Sequence, residues 1–132
     1  MLFGVLIVVK VRVIDGYRRI LDIQKEFESE FKEYNILLKN LGLYLKPSHV
    51  VVVKGKKYVY HSRYWWKLER NKEKRKIKWK YLGKSIPKNI PKPPPYPLEG
   101  LAYLKDGNDI IIDMNTYMKF KHLFHGLKVK IE

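Results

Sequence analysis

The chain has 132 residues, of which 45% are hydrophobic, enough for one domain with a real core. It has no cysteine, which excludes a disulfide, a thiolate nucleophile and a zinc–cysteine site and suits an intracellular protein. Its 28 Lys and Arg against 13 Asp and Glu leave a formal charge of +15, a balance that asks for an acidic partner: nucleic acid first, then an anionic membrane surface, then an acidic protein.

The opening MLFGVLIVV is apolar for nine residues. That falls far short of the roughly 20 residues of a membrane helix, and it lacks the basic region and small-residue cleavage site of a signal peptide. It reads as a buried strand over residues 2–14, ending in the alternation Lys10-Val11-Arg12-Val13. Asp15 is placed to cap the next element, with Gly16 after it. A helix is expected within 16–42: Tyr17, Ile20, Phe27, Phe31, Tyr34, Leu38 and Leu41 recur at spacings of three and four, with Gln24 at the missing position, and so share one stripe. Gly42 suits a left-handed stop. The stripe has two possible uses, a coiled-coil seam across residues 17–41 that makes a homodimer, or packing on the sheet of its own subunit.

Residues 48–84 read as a basic, aromatic, three-stranded meander. Val50–Val53 is a short strand, Lys54-Gly55-Lys56 the turn, Lys57–Trp66 the second strand, Glu69–Lys74 a charged loop, and Arg75–Leu82 the third strand, stopped at Gly83. Strand alternation puts Tyr58, Tyr60, Tyr64 and Trp66 on one face and Val59, His61, Arg63, Trp65 and Lys67 on the other. In the third strand Ile77, Trp79 and Tyr81 oppose Lys76, Lys78 and Lys80. The window 54–84 holds 13 Lys or Arg and 2 acids, so +11 of the +15 sits there together with all three Trp and four Tyr. A solvated surface does not need that many rings, whereas a nucleic acid calls for both charge and π-faces. The plainer reading is a hairpin with one buried aromatic face and one solvated basic face.

Six of the seven prolines fall in IPKNIPKPPPYP, residues 86–97, which marks 85–99 as an extended linker or strap. Order resumes over 100–132. Leu101–Lys105, the turn Asp106-Gly107 and Ile110–Ile112 form a hairpin. Asp113 or Asn115 caps a helix to about His125, Gly126 ends it, and Leu127–Ile131 is a last alternating strand.

Other constellations are thin. His122 and His125 stand three apart on a helix, without a carboxylate partner at helical spacing to complete a metal site, and His49 and His61 are isolated. Asp106, Asp109 and Asp113 are close in sequence and are the set a small magnesium nuclease would use, although Asp106 suits a turn and Asp113 a cap. The glycines are scattered, so no phosphate loop is present.

The strands GKKYVYHSRYW and KIKWKYLGK also carry a resemblance. Gly55, Lys56, Lys57, Tyr58 and Tyr60, then Lys78, Lys80, Tyr81, Leu82, Gly83 and Lys84, resemble the basic hairpin of small archaeal and bacterial DNA-associated proteins found near integrases and transposases. The match covers about a quarter of the chain. The chain departs from it in a loop lengthened by LERNKEK and in its C-terminal hairpin, helix and strand. The integrase catalytic Arg, His and Tyr set has no matching frame, so the resemblance implies binding rather than strand cutting.

The expectation is an α+β fold: a mixed or antiparallel sheet with one long amphipathic helix, a basic three-stranded meander and a short C-terminal helix. The expected activity is non-enzymatic nucleic-acid binding, DNA before RNA, with no cofactor, no metal and no membrane. The residues expected to carry it are Lys54, Lys56, Lys57, Arg63, Lys67, Arg70, Lys72, Arg75, Lys76, Lys78, Lys80 and Lys84 on phosphates, with Trp65 stacking on a base or entering a groove. The alternatives are a self-associating viral or chromatin structural protein and, further off, the metal-dependent nuclease.

Overall fold

The alternating valines of Lys10–Val13 make the first strand, β1, and bury Val11 and Val13. The structure, a computed structural model, describes residues 8–71, 73 and 75–132. Of the strand expected over 2–14, residues 2–7 lie outside the described residues.

Helix α1 spans Gly16–Lys39, with Ile20, Phe31, Tyr34 and Leu38 buried and Tyr17 and Phe27 packed on the core. Most of the stripe that could have made a dimer seam therefore packs on the subunit's own sheet and strap, while Leu41, past the helix end, is exposed. Asp15 does not cap α1. It lies at φ 60 with no side-chain cap bond, and its N–H donates instead to Asp109 Oδ1 at 2.9 Å. Gly16 is required by crowding, since a Cβ there would stand 2.8 Å from Ile110 Cγ1. Gly42, at φ 67, reverses the chain after the helix as expected.

Strand β2 runs Leu43–Val53, well beyond the expected Val50–Val53. Pro47 hid its first half, yet it sits on an edge strand at a register shift between Lys46 and Ser48, where a missing N–H is tolerated. Lys54 (φ 50) and Gly55 (φ 78) form the two-residue turn. Strand β3, Lys56–Asn71, absorbs much of what reads as a charged loop, and β4 spans Lys76–Gly83. Then come β5 (Ala102–Asp106), β6 (Asp109–Asp113), helix α2 (Met114–Phe120) running into a 3₁₀ turn at Lys121–Phe124, and β7 (Val129–Ile131). Asp113 caps α2, accepting from Thr116 N–H at 3.0 Å and from its hydroxyl at 2.7 Å.

Among the described residues, seven strands form one antiparallel sheet in the order β2-β3-β5-β6-β1-β7, and β4 also pairs with β3. The fold is thus α+β with one long helix and one short one. The sheet forks at β3: Lys57–Tyr60 pairs with β5, while Trp66–Asn71 pairs with β4 along the same edge. Beyond the fork, β3 and β4 form an arm.

Among the described residues, everything that packs across the sheet does so from one side. Val11, Val13, Leu45, Val59, Trp65, Tyr103, Ile110 and Ile112 point there and meet α1 and Phe124. The proline strap crosses on that side too. Tyr96 and Leu98 are buried, Tyr96 meets Phe31 edge-on at 5.1 Å, and Tyr34 donates to the Pro91 carbonyl at 2.6 Å. His61 is the strap's clamp. Its Nδ1 lies 2.8 Å from the Tyr96 hydroxyl and its Nε2 2.8 Å from the Tyr103 hydroxyl. Burial drops His61 to a pKa of about 4 and pushes Tyr96 up to about 12. The neutral ring offers one donor and one acceptor, so one tyrosine donates to it and the other accepts from it.

Candidate functional site

The register decides which rings share a face. Tyr44 stands opposite Trp66, and Trp66 opposite Tyr81. Lys46 stands opposite Tyr64, and His49 opposite Tyr60. With Tyr58 and Trp79, whose places follow from strand alternation, seven rings lie on the face that α1 does not cover. We call it the open face. Tyr44 is 40% exposed, Tyr60 41%, Tyr81 46% and Trp79 49%; the other three are half-buried.

Their ring contacts fall in two groups, Trp66–Tyr81–Tyr64 with His49 and Tyr44–Trp79, set side by side by the pairing of Tyr44 with Trp66. Trp66 and Tyr81 are 5.0 Å apart between centroids, Tyr44 and Trp79 5.7 Å, His49 and Tyr64 6.0 Å, and Tyr64 and Tyr81 6.4 Å. Crowding raises the Tyr64 hydroxyl above its usual range, through burial first and the neighbouring Tyr81 and Tyr60 next. Lys84 lies 5.8 Å above the Tyr64 ring. Lys46 and Lys56 share this face by alternation, and Arg70 stands at its far end.

Of the residues expected to bind, the structure divides the set. Trp65 is fully buried, edge-on to Tyr34 at 6.4 Å, and no base can reach it. Its neighbour Trp66 takes the outward place. Arg63 is half-buried and committed, its Nε on Glu99 at 3.1 Å and its Nη2 on the Pro94 carbonyl at 2.9 Å. Lys67, Lys76, Lys78 and Lys80 line the reverse face of the arm, with Lys67 opposite Lys80, Glu69 opposite Lys78, and Asn71 opposite Lys76. Two like charges directly opposite are unfavourable, and among the described residues these four lysines make no ion pair. Lys54 and Arg75 occupy turns, both at positive φ. Lys57 faces the helix side beyond the core, opposite Lys105. Lys72 lies outside the described residues.

Of the plainer reading, a solvated basic face opposite a buried aromatic one, only the first half describes the arm: Lys67, Lys76, Lys78 and Lys80 are exposed, and so are Trp79 and Tyr81 on the other face. Sequence reasoning missed Tyr44, Lys46 and His49. Their alternation was legible in Tyr44-Leu45-Lys46, but Pro47 broke the strand pattern there.

A groove of about 1270 Å³ runs from the open face to α1. Leu43, Leu68, Ile77 and Trp79 line it with Phe27 and Phe31, and Lys25, Lys32, Lys39 and Arg70 add charge. Trp79 and Tyr44 stand where face and groove meet.

The carboxylates expected of a nuclease have other partners. Arg12 binds Asp106 at 2.8 Å, Asp109 at 3.1 Å and Glu132 at 3.2 Å. Asp113 is the α2 cap, and its hydrogen bonds from Thr116 hold it below the usual carboxylate range. Among the described residues no three His, Asp or Glu side chains are grouped to hold a metal, and no helix is long and apolar enough to cross a membrane. No protein-family model, curated protein or solved structure matches the chain.

Proposed function

We propose that this protein binds nucleic acid, DNA before RNA, without acting on it as an enzyme. The reading is carried by one observation: seven aromatic side chains stand on a sheet face that no described element covers, six of them within the region that holds +11 of the +15 charge. Rings on a covered face would be explained by the core. Rings on this face remain half-exposed beside cations, the combination that stacks bases and neutralises phosphates. The lysine row Lys67, Lys76, Lys78 and Lys80 supports the reading independently, because an anionic backbone relieves the repulsion between Lys67 and Lys80.

Fluorescence anisotropy of labelled oligonucleotides across a salt series tests it. With about six phosphate contacts, log K falls against log salt with a slope near −4 on single strands and near −5 on duplex. Lys76/Lys78/Lys80→Glu flattens that slope by about 2 to 3. A flat response in the native chain, or no binding at low salt, rejects the reading.

A further inference from the structure

We infer that the open face of β2, β3 and β4 takes an unpaired polynucleotide strand. Its bases stack on Tyr44, Trp66 and Tyr81, and its phosphates meet Lys46, Lys84 and Arg70. This rests on the nucleic-acid reading above and narrows it to a ligand class and a face. In a duplex the π-faces of the bases are already stacked inside, and only their edges and the phosphates are presented. Rings that stand out from a sheet have little to hold there. An unpaired strand offers a π-face at every nucleotide.

The rest of the face agrees. Its positions hold Tyr, Trp, Val, Leu, Ile, Lys, one Ser, one His and one Arg, with no Asn or Gln. Base edges in a major groove are read by Arg or Lys at guanine and by Asn or Gln at adenine; with no Asn or Gln and its cations set beside seven rings, this surface is furnished to stack more than to read. Trp66, Tyr81 and Tyr64 follow one another at centroid spacings of 5.0–6.4 Å, and Tyr44 stands opposite Trp66 in the register, so the rings are neighbours rather than isolated wedges. A second copy of the chain is a poor occupant, because each brings a charge of +15. DNA and RNA single strands present the same stacking faces and phosphates, and so are two sources of one ligand.

The reverse face of the arm makes the competing prediction. Its lysine row holds phosphates without rings and would serve a duplex equally well.

The test uses the full chain with labelled oligothymidylate and oligouridylate of about 12 nucleotides and a duplex of the same length. Both single strands should bind about tenfold or more tighter than the duplex, and saturating strand should quench tryptophan fluorescence. Tyr44→Ala and Tyr81→Ala should each weaken single-strand binding about 5- to 150-fold, with melting by circular dichroism showing that both variants remain folded. Duplex binding that equals or exceeds single-strand binding overturns the inference. So does native affinity in both tyrosine variants when Lys76/Lys78/Lys80→Glu loses binding; the site is then the lysine row, and the nucleic-acid reading stands. Unquenched tryptophan fluorescence at saturation overturns it without any variant. No binding of any of the three oligonucleotides removes both readings together.

Discussion

On the helix side of the sheet, Trp65, Tyr96 and Tyr103 are buried and either packed edge-on or hydrogen-bonded to His61. On the open side, Tyr44, Tyr60 and Tyr81 keep two-fifths or more of their surface in solvent. The two faces are built from the same residue types, and Trp65 and Trp66 are consecutive. What separates them is what lies above: α1, the strap and Phe124 on one side, no packed element among the described residues on the other. The same aromatic content therefore occupies two environments here, and only the register tells them apart.

The comparison is broken most sharply at the adjacent tryptophans. Trp65→Ala should cost about 3 to 5 kcal/mol in thermal or denaturant unfolding, as truncation of a large core ring does. Trp65→Phe should cost far less, since it keeps a ring and removes an indole N–H that is buried without a hydrogen-bond partner. If Trp66→Ala cost as much as Trp65→Ala, the open face would be structural.

Next in size is the acid response of the clamp. His61 is neutral in the folded chain, with its pKa lowered from 6.5 to about 4 by burial. The unfolded chain therefore takes up a proton that the folded chain refuses between those values. Stability falls as pH drops from 6.5 towards 4, by about 3 kcal/mol in all. Denaturant melts at pH 7 and pH 4.5 should show the loss, and His61→Gln should shrink its pH dependence. An unchanged slope in that variant would assign the acid response elsewhere.

Gly16→Ala should cost about 1 to 3 kcal/mol, because its Cβ would force Ile110 or Val13 to move and outweigh the better helix propensity. A stabilised variant would mean that the helix–sheet contact yields easily. Smallest in stability terms is Tyr81→Ala, expected within about 1 kcal/mol of the native chain. Its effect belongs in binding.

Much of the architecture was legible because it rests on local periodicity. The stripe of α1, the turn at Lys54-Gly55, the cap at Asp113 and the alternation in β3 and β4 each need only neighbours in sequence. The first half of β2 was not legible, because Pro47 is a strand breaker everywhere except an edge, and edge position is a tertiary fact. The same holds for the outer third of β3. Glu69-Arg70-Asn71 look like loop residues, and they become strand because β4 pairs with them. The site was half legible. Alternation alone separated Trp65 from Trp66, but which of the two faced solvent depended on where α1 came to rest. Trp65, expected to stack on a base, is the fully buried member, and Trp66 takes the outward place.

The fork in the sheet has a mechanical meaning. Strand β3 is 16 residues long, about 50 Å from end to end. Its first half is clamped between β2 and β5, while its outer third has β4 for its partner beyond the fork. A pull on the tip of the arm is thus transmitted along one unbroken backbone into the residues around His61, with no hinge loop to absorb it. A load on the arm is carried into the strand segment whose His61 ties down the strap, so the outermost and the most buried parts of the sheet are coupled through one backbone.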